Sequence, residues 1–199
     1  GQPKPKLLRS HRKMLKFLKG AYASGVPGLM AKPSTDLLAH SGGYSFHCGC
    51  PNPEMRDIAS WILTSGEGNT RRVAKLIPSL WKRHGQEDLV LCGLLLANMS
   101  EEELGESPWM AFIHLFKEQE PLGALLEIGE ELIRGGHEVP DDQWLMAMAG
   151  QSTLWHQVAV LFLSLRKENI GEIRGLVTTA PAGGELFERI RNRILSQEN

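Results

Sequence analysis

From position 53 onward, apolar residues return at intervals of three and four, with no sustained alternation, which is the period of helices that pack by one face. Ile58, Trp61 and Ile62 form one stripe, and Val73, Leu76, Ile77, Leu80 and Trp81 form the next. Between them lies Ser65-Gly66-Glu67-Gly68-Asn69, where Gly and Asn suit the left-handed conformation that closes a helix. The unit then recurs. Helix pairs begin near Pro53, Glu87, Pro121 and Thr153, at spacings of 34, 34 and 32 residues. The spacing predicts first members over 53–65, 87–99, 121–134 and 153–168 and second members over 69–84, 106–118, 140–150 and 170–180, with a closing helix over 183–197. A fixed period in this range belongs to a helical solenoid, so the expected fold is all-α, built of stacked antiparallel helix pairs.

Two helices carry further detail. Leu89-Val90-Leu91-Cys92-Gly93-Leu94-Leu95-Leu96 is apolar nearly all round, as a central, buried helix must be. The last helix sets Arg189, Arg191 and Arg193 against Leu186, Phe187, Ile190, Ile194 and Leu195, the amphipathic pattern of a cap. Val158 to Leu165 has the composition of a buried strand but sits within a longer helical pattern. Residues 1–52 are less regular: a basic arm, an amphipathic helix around Leu7 to Lys19, a short helix near Leu29 to His40, and a loop over 41–52. The expected organisation is this segment followed by repeats over 53–199, in one compact domain.

With 42% hydrophobic and 23% charged residues over 199 positions, the chain has the balance of an ordinary globular protein. The longest apolar run, Leu89 to Met99, is broken by Asn98 and falls short of the roughly 18 residues a membrane span needs. No secretory pattern opens the sequence, so a cytoplasmic monomer without membrane contact is expected. Charge is unevenly placed. Residues 1–35 contain Lys4, Lys6, Arg9, Arg12, Lys13, Lys16, Lys19 and Lys32 and no acid, a net of +8; the remainder holds 14 basic and 23 acidic side chains, a net of −9. A basic arm on an acidic body can meet a polyanion, and the same run also suits a solvated terminus.

Candidate chemistry is sparse. Three cysteines, Cys48, Cys50 and Cys92, make no disulfide framework, and Cys92 reads as a core residue. His47-Cys48-Gly49-Cys50, with His40 nearby, is the one cluster of metal-ligand type; it lacks a second Cys pair, so unliganded thiols are expected, with no metal and no cofactor. Neither a nucleophile elbow nor a phosphate loop is present. Trp61, Trp81, Trp109 and Trp144 read as core, whereas Trp155, followed by His156 and Gln157, could also stack on a ligand. Arg56, Arg71, Arg72, Lys75, Lys82 and Arg83, and later Arg166, Lys167 and Arg174, are the basic residues of the repeats. On phosphates they would give salt-sensitive affinity without sequence specificity; otherwise they are solvated helix faces.

Three stretches resemble the DNA alkylation repair proteins, a HEAT-like repeat family. Gly49-Cys50-Pro51-Asn52-Pro53-Glu54-Met55-Arg56-Asp57-Ile58-Ala59 is similar to that family's entry into the repeats, and Gly28-Leu29-Met30-Ala31-Lys32 to its short Met-Ala-basic helix. Ser152-Thr153-Leu154-Trp155-His156-Gln157-Val158-Ala159-Val160-Leu161-Phe162 is the longest match. The resemblance runs from about residue 25 to the end and implies a right-handed solenoid of antiparallel HEAT-like pairs. It also implies a concave, positively charged face that cradles duplex DNA, and removal of cationic N3- or N7-alkylated purines without base flipping. In that family the Asp of a Trp-Trp-Asp-x-Val-Asp motif, flanked by tryptophans, stabilises the charge that develops on the sugar as the glycosidic bond breaks.

This sequence departs from the motif at its chemical groups. The segment falls on Gln119 to Leu126, with Pro121 where Trp is expected and Leu125 where Asp is expected; Val158 replaces an Arg, and Asn192 a later Trp. Glu127, two residues beyond Leu125, points about 200° away on a helix, and only a shifted register would make it or Glu120 the catalytic carboxylate. The expected function is therefore recognition of damaged or distorted DNA through its backbone by Lys13, Lys16, Arg56, Arg71, Arg72, Trp155 and His156, without efficient base excision. Two alternatives stay open: an active alkylpurine glycosylase using Glu127, and a protein-binding repeat scaffold.

Overall fold

The computed structural model describes residues 9–25, 43–167 and 170–197. The helix expected near 29–40, the Gly28–Lys32 motif and His40, together with Lys4, Lys6 and Lys32, lie outside the described residues. Eleven α-helices are described: α1 (His11–Ser24), α2 (Asn52–Ser65), α3 (Thr70–Arg83), α4 (Gln86–Ala97), α5 (Glu101–Leu104), α6 (Pro108–Ile113), α7 (Leu122–Arg134), α8 (Asp142–Ala149), α9 (Thr153–Ser164), α10 (Arg174–Thr178) and α11 (Glu185–Ser196). No strand occurs among the described residues, so the protein is all-α. None of the described helices is long and apolar enough to cross a membrane.

Local chemistry explains where several helices start. Ser10, Ser107, Asp141 and Ser152 each stand at an N-cap and accept from the backbone amide three residues on, satisfying one of the orphan donors of the first turn. α5 escapes the periodicity because it is a single turn, held by a capping box in which Ser100 and Glu103 bond reciprocally. The helix expected over 106–118 covers only Pro108–Ile113; beyond it, Glu120 Oε1 accepts from the Lys117 amide at 2.7 Å and diverts the backbone. Similarly, the helix expected over 170–180 is a 3₁₀ turn (Gly171–Ile173) and the short α10, with Gly171 at φ +49°.

The chain divides into two compact units, residues 1–115 and 116–199. In the first, α4 is the central helix and packs against α2, α3 and α6. Leu89, Leu91, Cys92, Leu94, Leu95, Leu96 and Ala97 are all buried, as its uniform apolarity requires. α1 belongs to this unit: it packs on α2 and α3, and Met14, Leu18 and Tyr22, at i, i+4 and i+8, are fully buried. In the second unit α9 is central, packing against α7, α8, α10 and α11. Val158 to Leu163 form its core run, so the Val158 that replaces the family's Arg is fully buried. Arg191 of α11, expected on the solvent side, lies over the Phe187 ring at 5.0 Å and donates to the carbonyls of Ala180 (2.7 Å) and Pro181 (3.2 Å).

Residues 45–49 strap the junction of α3 and α4. The Ser45 amide donates to the His84 carbonyl (2.9 Å) and the Gln86 amide to the Phe46 carbonyl (2.8 Å). His84 takes a left-handed conformation (φ 65°) to end α3, and Gly85 then passes directly beneath the Phe46 ring. A Cβ at Gly85 would sit 2.1–2.5 Å from three ring carbons. Gly85→Ala is therefore expected to destabilise the first unit by about 1–3 kcal/mol through overpacking, read as a lower urea midpoint at unchanged slope.

Candidate nucleic-acid interface

Two neighbouring helices of the first unit carry cations and no acids. α1 has Arg12, Lys13, Lys16 and Lys19; α3 has Arg71, Arg72, Lys75, Lys82 and Arg83. On α1 all four cations are exposed, opposite the buried Met14, Leu18 and Tyr22. On α3 the buried face is Val73, Leu76, Ile77, Leu80 and Trp81, leaving Arg71, Lys75 and Lys82 exposed and Arg72 half-buried. The helices meet where His11 Nδ1 and Ser79 Oγ share a hydrogen bond of 3.1 Å and where the Arg83 guanidinium donates to the Leu15 carbonyl. Such a concentration of one charge sign is reflected in the whole unit. Residues 1–115 hold 14 basic and 10 acidic side chains, net +4, against 8 and 13, net −5, for residues 116–199.

Of the nine cations, Arg83 turns inward. Its Nε and Nη2 grip Asp88 at 2.8 and 2.7 Å, a two-pronged pair at the first turn of α4. Asp88 is fully buried and also accepts from the Tyr22 hydroxyl (3.0 Å) and the Gly85 amide (3.0 Å). Four donors thus compensate the desolvation of one carboxylate. Burial, reinforced by the charge of Asp88, pushes the Tyr22 phenol well above its usual range, which keeps it protonated as a donor. Next to it, Glu87 is also fully buried and accepts from the Cys48 amide (2.7 Å) and the Gly49 amide (3.3 Å). Lys19 Nζ lies 4.7 Å from the centre of the Phe46 ring and Arg83 Cζ 5.2 Å, within cation–π range. The sequence signal for this network was the pair Glu87-Asp88 at the start of an otherwise apolar helix, where carboxylates favour the helix N-terminus.

The other expected site residues are placed as follows. Arg56 is exposed on α2 and lines a shallow cleft of about 300 Å³ with Ser60, Thr64, Glu67 and Asn98, the C-cap of α4. In the second unit, Trp155 is half-buried, while His156 Nε2 donates to the Leu176 carbonyl at 2.8 Å and Gln157 Nε2 to the Ala182 carbonyl at 3.0 Å. Those two side chains bind α9 to the 176–182 segment. Trp144 stacks on Phe162 at 6.4 Å, and Trp81 and Trp109 are buried. Leu125, at the position of the family's Asp, is fully buried, and Pro121 caps α7. Glu127 lies at the surface on α7, where partial burial and then Glu130 raise its carboxyl above the usual range.

Among the described residues, which do not include His40, no three His, Cys, Asp or Glu side chains are placed to share an ion. Burial and the nearby Glu87 push the Cys48 and Cys50 thiols up to about 11. No family model, curated protein or solved structure matches the chain.

The thiol shifts give a reactivity prediction. At pH 8 the smaller thiolate fraction in the folded chain, partly offset by the greater nucleophilicity of a more basic thiolate, should make iodoacetamide modify Cys48 and Cys50 of the native protein about ten-fold more slowly than in the urea-unfolded chain. Because folding raises these pKa values, their contribution to stability is fully present below pH 9 and declines as pH rises from 9 through 11. Denaturation midpoints across that window check the sign.

Proposed function

We propose that this protein binds duplex DNA through its backbone, with the acid-free helices α1 and α3 as the contact surface. The observation that carries the reading is the adjacency of those two helices, joined by the His11–Ser79 and Arg83–Leu15 contacts, with Arg12, Lys13, Lys16, Lys19, Arg71, Lys75 and Lys82 exposed. Lys and Arg on helix faces supply phosphate contacts without reading sequence, and the preference for damaged or distorted duplex is what the resemblance to the alkylation repair family implies. The resemblance to the alkylation repair family supports the same partner and a right-handed solenoid of HEAT-like pairs; a cytoplasmic monomer is proposed with it.

Efficient base excision is not part of the proposed function. Leu125 is in the core and Pro121 at a helix cap, so neither carboxylate nor indole is available where the family's chemistry needs it. A role for Glu127 in a substituted active site would reveal itself as release of methylated purine from alkylated duplex, abolished by Glu127→Gln. No such release is expected. His156 acts in this reading as a tie to the Leu176 carbonyl, and Trp155 as a secondary contact.

Fluorescence anisotropy with duplex, abasic-analogue and four-way-junction DNA at low and moderate salt tests the reading. Lys13→Glu/Lys16→Glu and Arg71→Glu/Arg72→Glu should each weaken binding about ten-fold or more and flatten the dependence of log affinity on log salt, by about 0.9 for each phosphate no longer neutralised. Binding of no DNA at low salt would leave the chain as a protein-binding scaffold instead.

A further inference from the structure

We infer that Asp88 is a positioning residue that sets the orientation of the α1 cation stripe, and so controls nucleic-acid affinity from a site that a ligand cannot touch. This rests on the DNA-binding reading above and assigns the residue that regulates its geometry. α1 is held to its unit in two physically different ways. Met14, Leu18 and the Tyr22 ring hold it by apolar burial, which is non-directional and tolerates rotation of a helix about its own axis. The hydrogen bonds that tie α1 to the described helices include Tyr22 hydroxyl to Asp88, Arg83 to the Leu15 carbonyl, and His11 to Ser79.

Asp88 stands behind the first two of these. It accepts from Tyr22 directly, and its two-pronged grip on Nε and Nη2 leaves Arg83 Nη1 aimed at the Leu15 carbonyl. The anchored residues, Leu15 and Tyr22, are seven apart and therefore lie on one side of α1 two turns from each other. Two fixed points on one side determine the roll of the helix. Lys13 and Lys16 project away from that side, about 160° and 100° round the helix from Leu15, so their direction follows from the position of one buried carboxylate, whereas Lys19 turns toward the Phe46 ring.

The test separates this role from simple electrostatics by sign. Asp88→Asn removes a negative charge from a cationic unit, so a purely electrostatic effect would tighten DNA binding. Positioning predicts the reverse. Asp88→Asn should weaken duplex binding about ten-fold, and Tyr22→Phe, which changes no charge and leaves the Arg83–Asp88 pair, about three-fold, in line with one directional hydrogen bond. In either background the penalty of Lys13→Glu/Lys16→Glu should shrink, because those side chains no longer meet phosphates in register. Amide hydrogen exchange over residues 14–24 should quicken in both variants while α4 stays protected.

Unchanged or tighter binding by folded variants, or an undiminished Lys13→Glu/Lys16→Glu penalty, would overturn the inference and leave the DNA reading standing. If Asp88→Asn does not fold, Tyr22→Phe decides alone. Absence of wild-type binding removes the DNA reading itself; unchanged exchange over 14–24 in Tyr22→Phe would independently exclude a role in holding α1.

Discussion

A carboxylate taken wholly out of water is tolerated only if its lost hydration is replaced group by group, and in the first unit that demand falls on Asp88. Arg83, Tyr22 and the Gly85 amide meet it from three directions, and each brings a different part of the chain: the end of α3, the end of α1 and the start of α4 itself. Removing Arg83 would break a buried ion pair, a penalty on the order of 3–5 kcal/mol, whereas loss of the Tyr22 hydroxyl leaves that pair in place and costs less, on the order of 1–3 kcal/mol. Hydrophobic burial alone could bring these helices together in several related packings. The carboxylate selects one.

Glu87 applies the same principle to the loop. Its oxygens accept amides from Cys48 and Gly49, so the strap over the α3–α4 junction is fixed by backbone donors rather than by side-chain packing alone. Phe46, wedged against Gly85 with Lys19 and Arg83 about its ring, closes the arrangement. The second unit solves its equivalent problem with neutral acceptors. His156, Gln157 and Arg191 all donate to main-chain carbonyls between Leu176 and Ala182, so an irregular segment without ladder partners of its own is still satisfied.

The helices were readable because burial on one face forces a period of 3.6, and the uniform apolarity of 89–96 marks the central helix. Helix lengths were less so. Nothing in the apolar pattern distinguishes Glu120 turning back to the Lys117 amide from a surface acid, yet that bond accompanies an early end to α6. The cation stripes of α1 and α3 could be read directly from composition. Their anchoring could not: Arg83 and Asp88 are five apart on different helices, and Tyr22 lies 66 residues from its partner, so no local spacing announces the network. His156 shows another tie that spacing does not announce, a polar residue whose Nε2 is bonded to a carbonyl 20 residues on.

The long reach from Tyr22 to Asp88 also orders events in time. α1 is the first described helix to be synthesised, but the acceptor for its hydroxyl and the guanidinium for its Leu15 carbonyl come some 66 residues later. At about 5–20 residues per second, several seconds pass before those partners exist. Closing a loop of that length costs only slightly more entropy than closing one half as long, so the delay is set by translation rather than by chain statistics. α2, α3 and α4 follow one another closely and can assemble from near-neighbour contacts. α1 is thus locked only once α2, α3 and the first turn of α4 have been made, and until then it is a cationic helix without its directional partners.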